Sequence, residues 1–106
     1  MDETEFAAAA ERTLERIEAA LEASGVDADV ARKDGGVLEI EFADGSRMVL
    51  NRQAAMRELW VAARSGGFHF RWDGAAWRDT RDGAELFSAL SKLVSAQAGQ
   101  PVLLRP

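Results

Sequence analysis

The sequence predicts an α+β fold: a two-layer α/β sandwich in which two helices pack on one face of a five- to six-stranded antiparallel sheet. Three observations lead there. Near both ends of the chain apolar residues recur every three or four positions, the period of a helix with one buried face. Between those segments the period falls to two, and the runs are broken by Asp34-Gly35-Gly36, Asp44-Gly45, Gly66-Gly67 and Asp73-Gly74, the turn chemistry of antiparallel neighbours. The length of 106 residues, with 47% hydrophobic and 29% charged, suits one domain spanning residues 1–106 around one core.

The first helix is expected from about Thr4 to Ser24, with Phe6, Ala10, Leu14, Ile17 and Leu21 on the buried face, Thr4 or Asp2 as cap and Gly25 as stop. Beside that face Glu11, Glu15, Glu18 and Glu22 form a narrow stripe, while Arg12 and Arg16 lie opposite the core. Like charges at these spacings destabilise a helix by roughly 0.2–0.5 kcal/mol per pair, so a segregated stripe invites a use.

From Val26 to Arg32 the pattern alternates, with Val26, Ala28 and Val30 inward and Asp27 and Asp29 outward. Asp44-Gly45, read as a two-residue turn, pairs Ile40 with Val49 and Phe42 with Arg47, which sends Met48 and Leu50 to the open face among Glu39 and Glu41. In Glu58-Leu59-Trp60-Val61-Ala62, inward Leu59 and Val61 leave Trp60 outward. Asp73-Gly74 pairs Phe70 with Trp77 and His69 with Arg78, so Phe68, Phe70 and Trp77 face the core and His69 and Arg71 the open side. Asp82, followed three residues later by Glu85, reads as the cap of a second helix carrying Leu86, Phe87, Leu90, Leu93 and Val94 and ended by Gly99. The tail Pro101-Val102-Leu103-Leu104 is expected to cover the gap between the helices.

Composition narrows the function. With no cysteine, disulfides, thiolate metal sites and Cys nucleophiles are excluded, so a metal must find oxygen ligands. A net charge of −5 argues against nucleic acid as a partner and favours a cation or a basic protein surface. No stretch is long and apolar enough for a membrane span, and MDETEF lacks the regions of a signal peptide, so the expected location is the cytoplasm. No Ser or Lys stands near a plausible base, and no apolar pocket is expected around the carboxylates, so no catalytic residue is assigned.

Asn51-Arg52-Gln53, then Leu59-Trp60, then Gly66-Gly67-Phe68-His69-Phe70 resembles the signature of the frataxin family in its bacterial form, the CyaY group. The likeness extends from Thr4-Glu5-Phe6 through Gly35-Gly36-Val37-Leu38 and Asp44-Gly45-Ser46 to the second helix. It implies a frataxin-like fold and a small protein that binds Fe2+ and Fe3+. It also implies, as partners, the cysteine desulfurase of iron–sulfur assembly and its scaffold protein. The family's acidic ridge maps onto Glu11, Glu15, Glu18, Glu22, Asp27 and Asp29. The chain departs from the pattern at Ala19, Ala23, Ser24 and Val26, where relatives are often acidic, which points to a reduced iron capacity.

Exposed carboxylates one helical turn apart offer a hard cation few ligands, so binding is expected to be weak and exchangeable, with Ca2+ and Mn2+ as competitors. On residue chemistry alone a solvated helix face is the commoner explanation of such a run; the resemblance reverses that weighting. For protein binding, the expected surface joins Glu18 and Glu22 to Met48, Leu50, Asn51, Arg52, Gln53 and Trp60, because an exposed tryptophan with apolar company is a hot-spot pattern. Asn51, Arg52 and Gln53 equally suit a turn, and Trp72 and Trp77 are assigned to packing. Three functions remain: a regulator of the desulfurase, an iron store or ferroxidase that assembles into oligomers with iron, and an interaction module with no metal. A monomer is expected without iron.

Overall fold

The computed structural model describes residues 1–106 and orders them as α1 (Glu3–Ser24), β1 (Ala28–Lys33), β2 (Val37–Phe42), β3 (Arg47–Gln53), β4 (Glu58–Ala63), β5 (Gly66–Trp72), β6 (Trp77–Asp79) and α2 (Leu86–Ala98). The strands form one antiparallel meander, β1-β2-β3-β4-β5-β6, with both helices against one face. No helix is long and apolar enough to cross a membrane.

Helix α1 starts where its sequence can satisfy the free N–H groups. The Asp2 carboxylate accepts from Glu5 N–H, Glu5 returns the bond to Asp2 N–H, and Gly25 closes the helix in the left-handed region at φ 73°. Its five expected core positions are all buried, against Leu38, Ile40, Leu59, Val61 and Phe70 of the sheet. Trp77 reaches up from β6 to donate its indole N–H to Thr13 Oγ1 at 2.9 Å, tying sheet to helix inside the core. Helix α2 is capped by Glu85 rather than Asp82: its carboxylate accepts from Phe87 and Ser88 N–H, while Asp82 serves the preceding turn by accepting from Ala84 N–H. The tail docks along α2, where Ser91 and Ser95 exchange hydrogen bonds with the backbone of Leu104 and Val102, and Leu104 is buried.

The β2–β3 register corrects the expected one by a single residue. Phe42 N–H donates to Ser46 O and Gly45 N–H to Phe42 O, so the turn holds three residues, Ala43-Asp44-Gly45, with Gly45 at φ 85°. Ile40 therefore faces Met48 and Leu38 faces Leu50. A one-residue slip exchanges the faces, so Met48 and Leu50, expected outside, are core residues with 0% exposure, and Val49 takes the outer position. The β5–β6 register is shifted by two, with Phe70 against Asp79 and Trp72 against Trp77, which leaves the faces as expected.

Candidate functional site

Because both helices lie on one side, the other side of the sheet has no layer over it. Alternation along each strand and the observed registers define a row across it: Lys33, Val37, Asn51, Trp60 and His69 are successive cross-strand neighbours. Glu58 lies one step along the same face, opposite Gln53 on one side and Arg71 on the other. Trp60 is held from two directions. Its ring stacks on the His69 imidazole with centroids 4.3 Å apart and planes 8° from parallel, and its indole N–H donates to Glu58 Oε1 at 2.9 Å. Arg71 Nη2 donates to Glu58 Oε2 at 2.6 Å, and His69 Nδ1 lies 3.7 Å from Oε1. The Glu58 side chain is 4% exposed on a face open to solvent, because these neighbours close over it. Both carboxylate oxygens have partners, which is the condition for burying such a charge.

Asn51 and Gln53 join this arrangement as half-buried neighbours of Trp60 and Glu58. Arg52 does not. It alternates to the helix side, where its stem lies against Gly36; a Cβ there would come within 2.5 Å of Arg52 Cδ. Met48, Leu50 and Arg52 are thus separated by the sheet from Trp60. Glu58 escaped the sequence reading because a glutamate on an outward position looks like a solvated residue. The available signal was its spacing: two residues before Trp60 on one strand, it lies on the same face within reach of the indole N–H.

The acids are arranged differently. Glu15 and Glu22 are exposed on α1, Glu11 and Glu18 are half-buried, Asp27 precedes β1, and Asp29 faces outward on β1 opposite Glu41. Glu11 is already committed to Arg32, with Nη2 to Oε1 at 2.7 Å. No three His, Asp or Glu side chains are grouped so as to hold a metal ion. At the helix end Ala19 and Ala23 offer no oxygen, Ser24 Oγ is used by the backbone of Leu21 and Val26, and Val26 packs on the core. A resident, fully coordinated ion does not fit these residues; a hydrated cation held by one or two carboxylates at a time does.

A family model described as a frataxin-like domain matches residues 1–100, and a protein from Dechloromonas aromatica is 61% identical over 99% of this chain and 100% of its own. The chain belongs to the frataxin family. That relative, and one from Janthinobacterium with 58% identity over 99% of this chain and 97% of its own, are each named iron–sulfur cluster assembly protein CyaY. Among solved structures, the frataxin from Psychromonas ingrahamii superposes with a TM-score of 0.91 at 28% identity, covering both chains fully. A trimeric yeast frataxin in a ferrous complex shares the fold, with a TM-score of 0.68 at 24% identity over 94% of this chain and 88% of its own. The frataxin core accounts for the helix layer, and on the open face of this frataxin Glu58, His69 and Arg71 hold Trp60.

Proposed function

We propose that this frataxin is a regulatory binding protein of iron–sulfur cluster assembly, docking on a cysteine desulfurase, with the assembly scaffold protein beside it. The contact is the open sheet face around Trp60 together with the acidic edge that includes Glu18 and Glu22. The observation that carries the reading is the immobilised indole. A half-buried tryptophan locked by a stack and a hydrogen bond on an uncovered sheet has already lost the freedom that binding would remove, so less of its contact energy is spent on ordering. The names of the relatives support the pathway. Iron enters as cargo, Fe2+ or Fe3+ exchanging among Glu15, Glu18, Glu22, Asp27 and Asp29, with Glu11 contributing only when Arg32 releases it. The dispersal of these acids favours regulation over storage, which needs many irons per chain.

Calorimetry with the purified desulfurase tests the reading. Trp60→Ala is expected to weaken binding by about 2 kcal/mol or more at any salt concentration. Charge reversal at Glu18 and Glu22 acts mainly on association and is expected to weaken binding most at low salt. Unchanged affinity in both variants would reject the proposal.

A further inference from the structure

On the helix side, away from the open sheet face, the β5–β6 hairpin, the middle of α1 and the start of α2 surround a cleft of about 490 Å³. That volume lies within the range of small-molecule sites, about 300–1,000 Å³. One wall is aromatic. Trp72 is 38% exposed and meets Trp77 edge to face at 5.5 Å, with Phe87 beside them. The opposite wall is cationic, with Arg12 and Arg16 one helical turn apart. Arg12 and Arg16 form no ion pair, as is also true of Arg47, Arg52, Arg57 and Arg105, but only these two lie together on the wall of this cleft. The one acidic side chain on the cleft wall, Glu85, forms no ion pair with them, since its two oxygens cap α2 through Phe87 and Ser88 N–H, and its single charge leaves the arginines in excess. In a chain of net charge −5, two arginines and one glutamate beside an aromatic wall make a local excess of positive charge.

We propose that this cleft binds a small amphipathic anion, an aromatic carboxylate whose ring lies against Trp72 and Trp77 and whose carboxylate faces Arg12 and Arg16. The apolar half provides burial, and the guanidinium pair selects charge and geometry. The site is independent of docking through Trp60, which lies across the sheet.

The test is a heteronuclear NMR titration with 2-naphthoate, paired with 2-naphthalenemethanol as its neutral counterpart. The expected result is saturable movement of the Trp72 and Trp77 indole N–H signals with the Trp60 signal unmoved. Arg12→Gln with Arg16→Gln should weaken naphthoate binding about threefold to tenfold and leave the neutral compound unaffected. Trp72→Ala should weaken both compounds. The proposal is overturned if no saturable shift occurs at millimolar naphthoate, if the shifts centre on Trp60, or if the double variant binds naphthoate as the parent does. A response that sedimentation traces to self-association would overturn it as well.

Discussion

At the scale of single residues, Glu58 determines how Trp60 is presented. Its carboxylate is shut away from water by the indole and guanidinium that donate to it and by the His69 imidazole 3.7 Å away, so removing it affects three side chains together. Glu58→Ala should release the indole and cost about 1–3 kcal/mol of stability, the usual penalty for losing charged hydrogen bonds. Denaturant unfolding reads the stability, and a shift and broadening of the Trp60 indole N–H resonance reads the release. Asp44 offers an independent check on the turn beside this sheet. Hydrogen bonds from the Ser46 side chain and backbone, with Arg64 adding charge, lower its pKa from 3.8 to about 2. Because the folded value lies below the ordinary one, its contribution to stability is complete above pH 3.8 and is lost as pH falls toward 2. Carbon-detected titration of the Asp44 carboxyl should therefore find a midpoint near 2, and Ser46→Ala should move it upward. Alternation places Trp60 outward with Glu58 on the same face, but the burial of Glu58 also depends on His69 and Arg71 of the next strand, which a pattern within one strand does not show.

At the scale of elements, helices and strands were legible because each carries its own period, and the α1 face from Phe6 to Leu21 is buried as expected. The turns were less legible. Asp44-Gly45 fits a two-residue turn and also a three-residue one with Gly in the left-handed position; the chain uses the second, and Met48 and Leu50 change sides. The cap of α2 moved for a similar reason, since Asp82 and Glu85 are both able acceptors and Glu85, extended and bridged to Arg78, stands at the helix start. Two glycines separate backbone strain from crowding. Gly45 is at φ 85° with open space where a Cβ would go, so Gly45→Ala should cost only the left-handed strain, about 1–2 kcal/mol. Gly36 is at φ 77° and would in addition push into the Arg52 stem, so Gly36→Ala should cost more, unless Arg52→Ala accompanies it. Urea midpoints of the three variants decide between these orders; equal losses at both glycines would mean that Arg52 moves freely.

At the scale of the whole molecule, placing both helices on one side of the sheet produces two surfaces of different character. The helix side buries the core and leaves the cleft at Arg12 and Arg16, while the sheet side presents Trp60 between Asn51 and His69. The likeness at Asn51-Arg52-Gln53 and Leu59-Trp60 was legible because those residues are contiguous, whereas the acids are spread over a helix, a loop and a strand whose separation no spacing rule reveals. Their dispersal leaves the sheet face, rather than the acids, as the central element of the proposed function. The most direct test is an NMR cross-saturation footprint of the labelled chain with unlabelled cysteine desulfurase. Saturation is expected to centre on Asn51, Trp60 and His69 and to extend toward Glu18 and Glu22, with Trp72 and Phe87 unaffected. A footprint on the helix-side cleft, or one that omits Trp60, would contradict the proposed function.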